Sequence, residues 1–168
     1  MKKFFLVLSL SFASFAFSQQ NVDINTENSW FKAGINAGLP IGDAADASSF
    51  TLGADLKAQY LLNPSLGIGV ASGYNHFFGK DNADDFGLIP LAGFVRYYAQ
   101  PAGFFAGLDL GYGFLTNVDN NSGGLHIKPQ IGYHNEKWNF FAYYQNTMTE
   151  NDLNLQVIGI GTTYNIMF

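Results

Sequence analysis

The eleven residues Ile158-Gly-Ile160-Gly-Thr162-Thr-Tyr164-Asn-Ile166-Met-Phe168 decide the architecture. Counted back by twos from Phe168, they place Ile166, Tyr164, Thr162, Ile160 and Ile158 on one face of a strand. Gly159, Gly161, Thr163 and Asn165 fall on the other, because strand side chains alternate with period 2. A strand that ends on a bare aromatic with a bulky apolar face suits a closing strand facing hydrocarbon, with its rings at the interface.

The same alternation runs through most of the chain. Strands are expected over about 29–39, 49–62, 66–78, 86–99, 104–115, 125–134, 138–147 and 153–168. In the second, Phe50, Leu52, Ala54, Leu56, Ala58 and Tyr60 oppose Thr51, Gly53, Asp55, Lys57 and Gln59. Strand one sets Phe31, Ala33, Ile35, Ala37 and Leu39 against Lys32, Gly34, Asn36 and Gly38. Pro90 lacks a ladder donor and should mark a bulge or a weak point in pairing. The eighth strand changes phase, since Leu153, Leu155 and Val157 oppose Ile158. Either a β-bulge or a change of environment is expected there.

Connections alternate in kind. Asn63-Pro64-Ser65, Gln100-Pro101-Ala102-Gly103 and Asn135-Glu136-Lys137 are tight, whereas about 40–48, 79–85, 116–124 and 148–152 are longer and acidic. Aromatics gather at both ends: Trp30, Phe31, Tyr60, Tyr97, Phe104, Tyr133, Trp138 and Phe168 near the tight turns, and Phe50, Tyr74, Phe77, Phe86 and Phe114 near the long loops. Two such belts around an aliphatic band are expected of a membrane barrel. The fold class is therefore all-β, an eight-stranded antiparallel up-and-down transmembrane β-barrel over 29–168, with both termini periplasmic.

At the other end, Met1-Lys2-Lys3 is a basic leader and Phe4–Phe17 an apolar stretch, followed by Ala16-Phe17-Ser18 as a small-x-small site. This is a secretory signal peptide over 1–18, cut before Gln19. The stretch is shorter than the roughly 20 residues of a bilayer-spanning helix. Residues 19–28 form a polar periplasmic lead-in. Removing Lys2 and Lys3 takes the formal charge from −5 to −7, so the chain lacks the basic footprint of a nucleic-acid binder. The absence of cysteine rules out disulfides, thiolate metal sites and cysteine nucleophiles.

The faces distinguish a membrane barrel from a secreted lipocalin-like carrier. Bulky aliphatics and rings share one face, while Gly, Asn, Gln, Lys, Asp and Arg share the other. An interior of eight strands is just wide enough for side chains, so the small and polar set belongs inside.

Signal peptide, eight alternating strands, tight turns and the closing Tyr164-x-Ile166-x-Phe168 together resemble small outer-membrane β-barrel proteins of the OmpA-transmembrane and OmpX type. The resemblance covers essentially all of the chain after residue 18. It implies the outer membrane of a Gram-negative bacterium. Outer-membrane lipids and lipopolysaccharide are the implied partners, and the barrel-assembly machinery would read Tyr164, Ile166 and Phe168.

The inward face carries Lys32, Asp55, Lys57, Arg96, Asp109 and Lys128, with Asn36, Gln59, Asn75, His126, Gln130 and His134. The expectation is a lumen plugged by a polar network. A narrow small-solute pore is the alternative. Which pairs form depends on strand stagger. Histidine spacing gives no zinc pattern, and no cofactor, metal centre or catalytic residue is expected. A lipid A-modifying enzyme is the weaker reading: Ser72 and His76 share a phase, but four residues along a strand span about 13 Å, beyond hydrogen-bond reach. In the long loops eight acidic residues accompany Lys80. Among them Asp81, Asp84 and Asp85 are candidates for weak divalent-cation and lipopolysaccharide contact, since hard cations prefer such oxygens. The chain is expected to be a monomer with a structural, envelope-integrity or surface-interaction role.

Overall fold

The computed structural model describes residues 29–81, 83–118, 122–149 and 154–166. Eight strands form a closed barrel in sequence order, every neighbouring pair antiparallel. They are β1 Ser29–Ile41, β2 Ser48–Asn63, β3 Leu66–Gly79, β4 Phe86–Tyr98, β5 Gly103–Thr116, β6 Gly123–His134, β7 Trp138–Thr149 and β8 Asn154–Ile166. β1 closes on β8 through an unbroken register from Phe31↔Ile166 to Ile41↔Gln156. Closure leaves no strand edge unpaired. The leader, the lead-in and Phe168 lie outside the described residues, as do Asp119, Glu150, Asp152 and Leu153.

The expected phases hold. Outward positions stay open: Ile160 is 69% exposed, Ile131 68% and Ile35 67%. Inward charges are enclosed, with Arg96 at 0% and Lys32 at 2%. A soluble domain normally shows the reverse distribution.

Pro90 breaks its ladder as expected. The β3–β4 register skips from Ser72↔Leu91 to Asn75↔Leu88, while the β4–β5 side continues through Pro90↔Gly113. Pro129 does the same on β6, where pairing with β7 jumps from Ile127↔Asn146 to Gln130↔Tyr143. Each proline lacks an N–H for one neighbour only.

One alternative is settled, one expectation is corrected and one feature is new. β8 contains no bulge near Val157, because its registers with β1 and β7 run without a shift. Its environment changes instead: Leu155 and Val157 point inward, each 1% exposed, on the phase of Thr163 and Asn165. Phe77 and Phe86 do not join the loop-end girdle. They turn into the lumen and stack with centroids 4.5 Å apart. Finally, the β1–β2 loop carries a short helix, α1 Ala44–Ala47, whose Ala44 is fully buried against this cluster.

The girdle at the tight-turn end survives. Phe104 and Tyr133 pack edge to face, as do Trp138 and Tyr164. Phe50, Tyr74 and Phe114 remain exposed at the loop end.

Candidate functional site

The lumen holds three layers. At the loop end, α1 and the inward side chains Phe77, Phe86, Leu88, Leu155 and Val157 make an apolar cap. Below it His126 Nδ1 lies 2.9 Å from Thr147 Oγ1.

The middle layer is ionic. Lys57 Nζ meets Asp109 Oδ2 at 2.5 Å, and Lys128 Nζ meets Asp55 Oδ1 at 3.2 Å. Asp109 and Lys128 are direct neighbours across the β5–β6 ladder, yet each salt bridge reaches over the lumen to β2. The two pairs therefore stitch one wall of the barrel to the opposite one. Asn36 donates to Asp55 Oδ2 at 2.9 Å, and Tyr143 donates to Asn36 at 3.1 Å. Gln130 donates to Asp109 Oδ2 and accepts from Arg96 Nη2, both at 2.7 Å. Paired and bonded in this way, charges withstand removal from water.

The third layer lies at the turn end. Lys32 Nζ donates to Tyr98 Oη at 3.0 Å and to Asn139 Oδ1 at 3.2 Å. Tyr98 donates in turn to Gln59 Oε1 at 2.6 Å. Arg96 lies over the rings of Phe94 and Phe105, with centroid distances of 5.4 and 5.0 Å. Asn139 bonds Asn165 at 2.8 Å near the mouth.

All six charged residues expected inside thus share the lumen and are nearly fully buried. Tyr98 and Tyr143, which tie the layers together, were not singled out from the sequence. For Tyr98 the signal was present: it stands two residues from Arg96 and so shares its inward phase.

The acidic loop trio separates. Among the described residues no group of three His, Cys, Asp or Glu side chains converges to hold a metal. Asp85 is engaged in the β3–β4 turn: its Oδ1 accepts from the Gly79 amide at 2.7 Å, and its Oδ2 lies 3.0 Å from His76 Nε2. The Gly79 amide and then His76 hold the Asp85 carboxyl below the usual carboxylate range. Asp81 stands at φ 52°, a turn conformation that asparagine or aspartate tolerates. His76 Nδ1 is 3.3 Å from Tyr74 Oη. His76 thus bonds Tyr74 and Asp85, and no hydrogen bond joins it to Ser72 among the described residues.

Neither a protein-family model nor a curated protein sequence matches the chain. Solved structures do. The attachment invasion locus protein Ail of Yersinia pestis superposes with a TM-score of 0.60 at 14% identity, over 83% of this chain and 98% of that one. The N-terminal β-barrel domain of Pseudomonas aeruginosa OprF gives 0.53 at 16%, over 83% and 98%. A de novo designed transmembrane β-barrel gives 0.52 at 19%, over 82% and 95%. At such identities the likeness speaks for architecture, and the chain has the fold of the small eight-stranded barrels of the OmpA/OmpX-like type.

Proposed function

We propose that the chain is an integral outer-membrane barrel with a closed lumen, serving envelope integrity or surface contact rather than solute passage. The observation that carries this is the inside-out distribution: isoleucines near 70% exposure outside, and four cations and two carboxylates within 4% of full burial inside. Water would penalise the first and a narrow dry core the second, unless the exterior meets hydrocarbon and the interior charges pair. The fold it shares with outer-membrane proteins is consistent with that setting.

The stacking of the three layers supports a plugged lumen. The mature barrel reconstituted in planar bilayers is expected to give no steady channel. Steady unitary currents would replace this reading with that of a narrow pore. Heat-modifiable migration of membrane-extracted protein provides the control that the barrel is folded.

For partners we propose outer-membrane lipids and lipopolysaccharide, with the barrel-assembly machinery acting during biogenesis on Tyr164, Ile166 and Phe168, and a monomeric barrel. Ail has been solved with the heparin analogue sucrose octasulfate. The loops here are predominantly acidic, so a polyanion would be repelled unless divalent cations bridged it. Asp81, Asp84 and Asp85 are exposed in one short loop and suit loose bridging of that kind. Replacing all three by asparagine is expected to abolish calcium-dependent binding to lipopolysaccharide vesicles. It should also speed amide exchange at Gly79, whose acceptor changes from a carboxylate to the weaker, neutral amide oxygen. Because the Asp85 carboxyl is held low, its clasp on Gly79 is present above the ordinary carboxylate range and lost as pH falls through the folded-state value. Acidification should therefore reproduce the exchange phenotype in the unmutated chain.

A further inference from the structure

The turn-end layer of the lumen has a charge imbalance that the proposed function leaves unused. Lys57 and Lys128 consume both buried carboxylates, Asp109 and Asp55. Lys32 and Arg96 have only neutral partners among the described residues: Tyr98 and Asn139 for the lysine, Gln130 and two rings for the guanidinium. With all four basic residues protonated, the enclosed charges would carry an excess of two positive units.

The unused hydrogen-bonding atoms point the same way. Arg96 Nε and Nη1 and Gln59 Nε2 are buried and have no acceptor. All three are donors. The free Gln59 amide belongs to the group of Lys32, since Gln59 accepts from Tyr98, which accepts from Lys32, while Arg96 reaches its partner through Gln130. The strand neighbours of Arg96 are Gly67 on one side and Gly107 on the other, so neither supplies a side-chain acceptor. Asp109 Oδ1 is also without a partner. Turning Arg96 toward it would satisfy one donor but leave the excess charge unchanged.

We propose that the turn end of the lumen binds one small inorganic anion of halide size, held by Arg96, Gln59 and Lys32. Water alone could accept the free N–H groups, but it would not offset two buried positive charges, whose desolvation is costly. The packed interior of an eight-stranded barrel favours a monatomic ion over a polyatomic one. The turn end is the nearer mouth, where His134 and Asn165 bond the carbonyls of Gln100 and Glu136. The site depends on the closed barrel and its buried charges, not on the barrel's location in a membrane.

The test uses the folded barrel in detergent. Thermal midpoints are compared in sodium bromide and in sodium gluconate at equal ionic strength. The expected result is a midpoint roughly 3–5 °C higher in bromide at about ten times its Kd. Gln59→Glu replaces one of the anion's donors with a carboxylate that itself supplies a negative charge, and should fold and lose the bromide dependence. Crystals grown in bromide should show an anomalous peak within hydrogen-bonding distance of the free Arg96 nitrogens. Equal midpoints in the two salts, a bromide effect that persists in Gln59→Glu, or crystals with no anomalous peak at Arg96 would each overturn the proposal.

Discussion

Replacing Asp109 with alanine is expected to lower the unfolding free energy of the barrel by about 3–5 kcal/mol, the usual cost of removing one partner from a buried ion pair. The carboxylate accepts through Oδ2 from both Lys57 and Gln130, and Gln130 in turn holds Arg96. Alanine would strand a lysine that is 2% exposed and leave Gln130 one acceptor short. The loss should be read as a lower urea midpoint with an unchanged slope, in detergent or lipid, by the migration shift of the folded form. A double variant, Lys57→Met with Asp109→Leu, is the informative control. Removing both charges together should recover most of the loss, since a well-packed apolar pair is often as stable as the buried ion pair it replaces. Recovery would attribute the cost to the stranded charge. A deficit of the same size in the double variant would instead mean that the ionic layer sets the shape of the lumen.

Period-2 alternation made the barrel legible because it is a local property. Each side chain on β2 can be assigned a face from its neighbours in sequence alone, and closure then follows from counting strands and turn lengths. Pairing across the lumen is not local. Asp109 could have bonded Lys128, its ladder neighbour, or Lys57, which lies fifty-two positions away; stagger and side-chain length decide, and the choice falls on Lys57. The phase change on β8 was visible in Leu155 and Val157, but its cause was open. A bulge and an apolar lumen layer produce the same one-dimensional pattern. They differ only in whether Phe77 and Phe86 come from β3 and β4 to meet those side chains, which is a statement about three strands at once. The Asp85 clasp was hidden for the complementary reason. Its acidic neighbours made it look like one charge of a solvated rim, whereas its carboxylate is directed back onto the Gly79 amide within its own turn.

Ile160→Arg tests what the exterior faces. Ile160 lies at the centre of β8, opposite Ala37 and Ala142 in the two flanking ladders, and is 69% exposed. On a soluble barrel an arginine there would trade one solvated side chain for another, and surface substitutions of that kind usually stay within about 0.5 kcal/mol. On a barrel immersed in hydrocarbon the guanidinium must be dehydrated or must deform the bilayer to reach water. The expected cost is about 2–4 kcal/mol near the midplane, falling to roughly 0–1 near the interfaces. Phe104→Arg supplies the depth control, because Phe104 is 75% exposed in the girdle at the turn end, where an arginine can reach the headgroups. The predicted outcome is a large loss for Ile160→Arg and a small one for Phe104→Arg, measured by urea unfolding in lipid vesicles. The loss for Ile160→Arg should shrink in detergent micelles, which deform more readily around a charge. Equal and negligible losses at both positions would remove hydrocarbon from the exterior, and with it the reason the apolar residues stand outside. A gradient along the strand would establish the membrane as the solvent to which the outward face of β8 is matched.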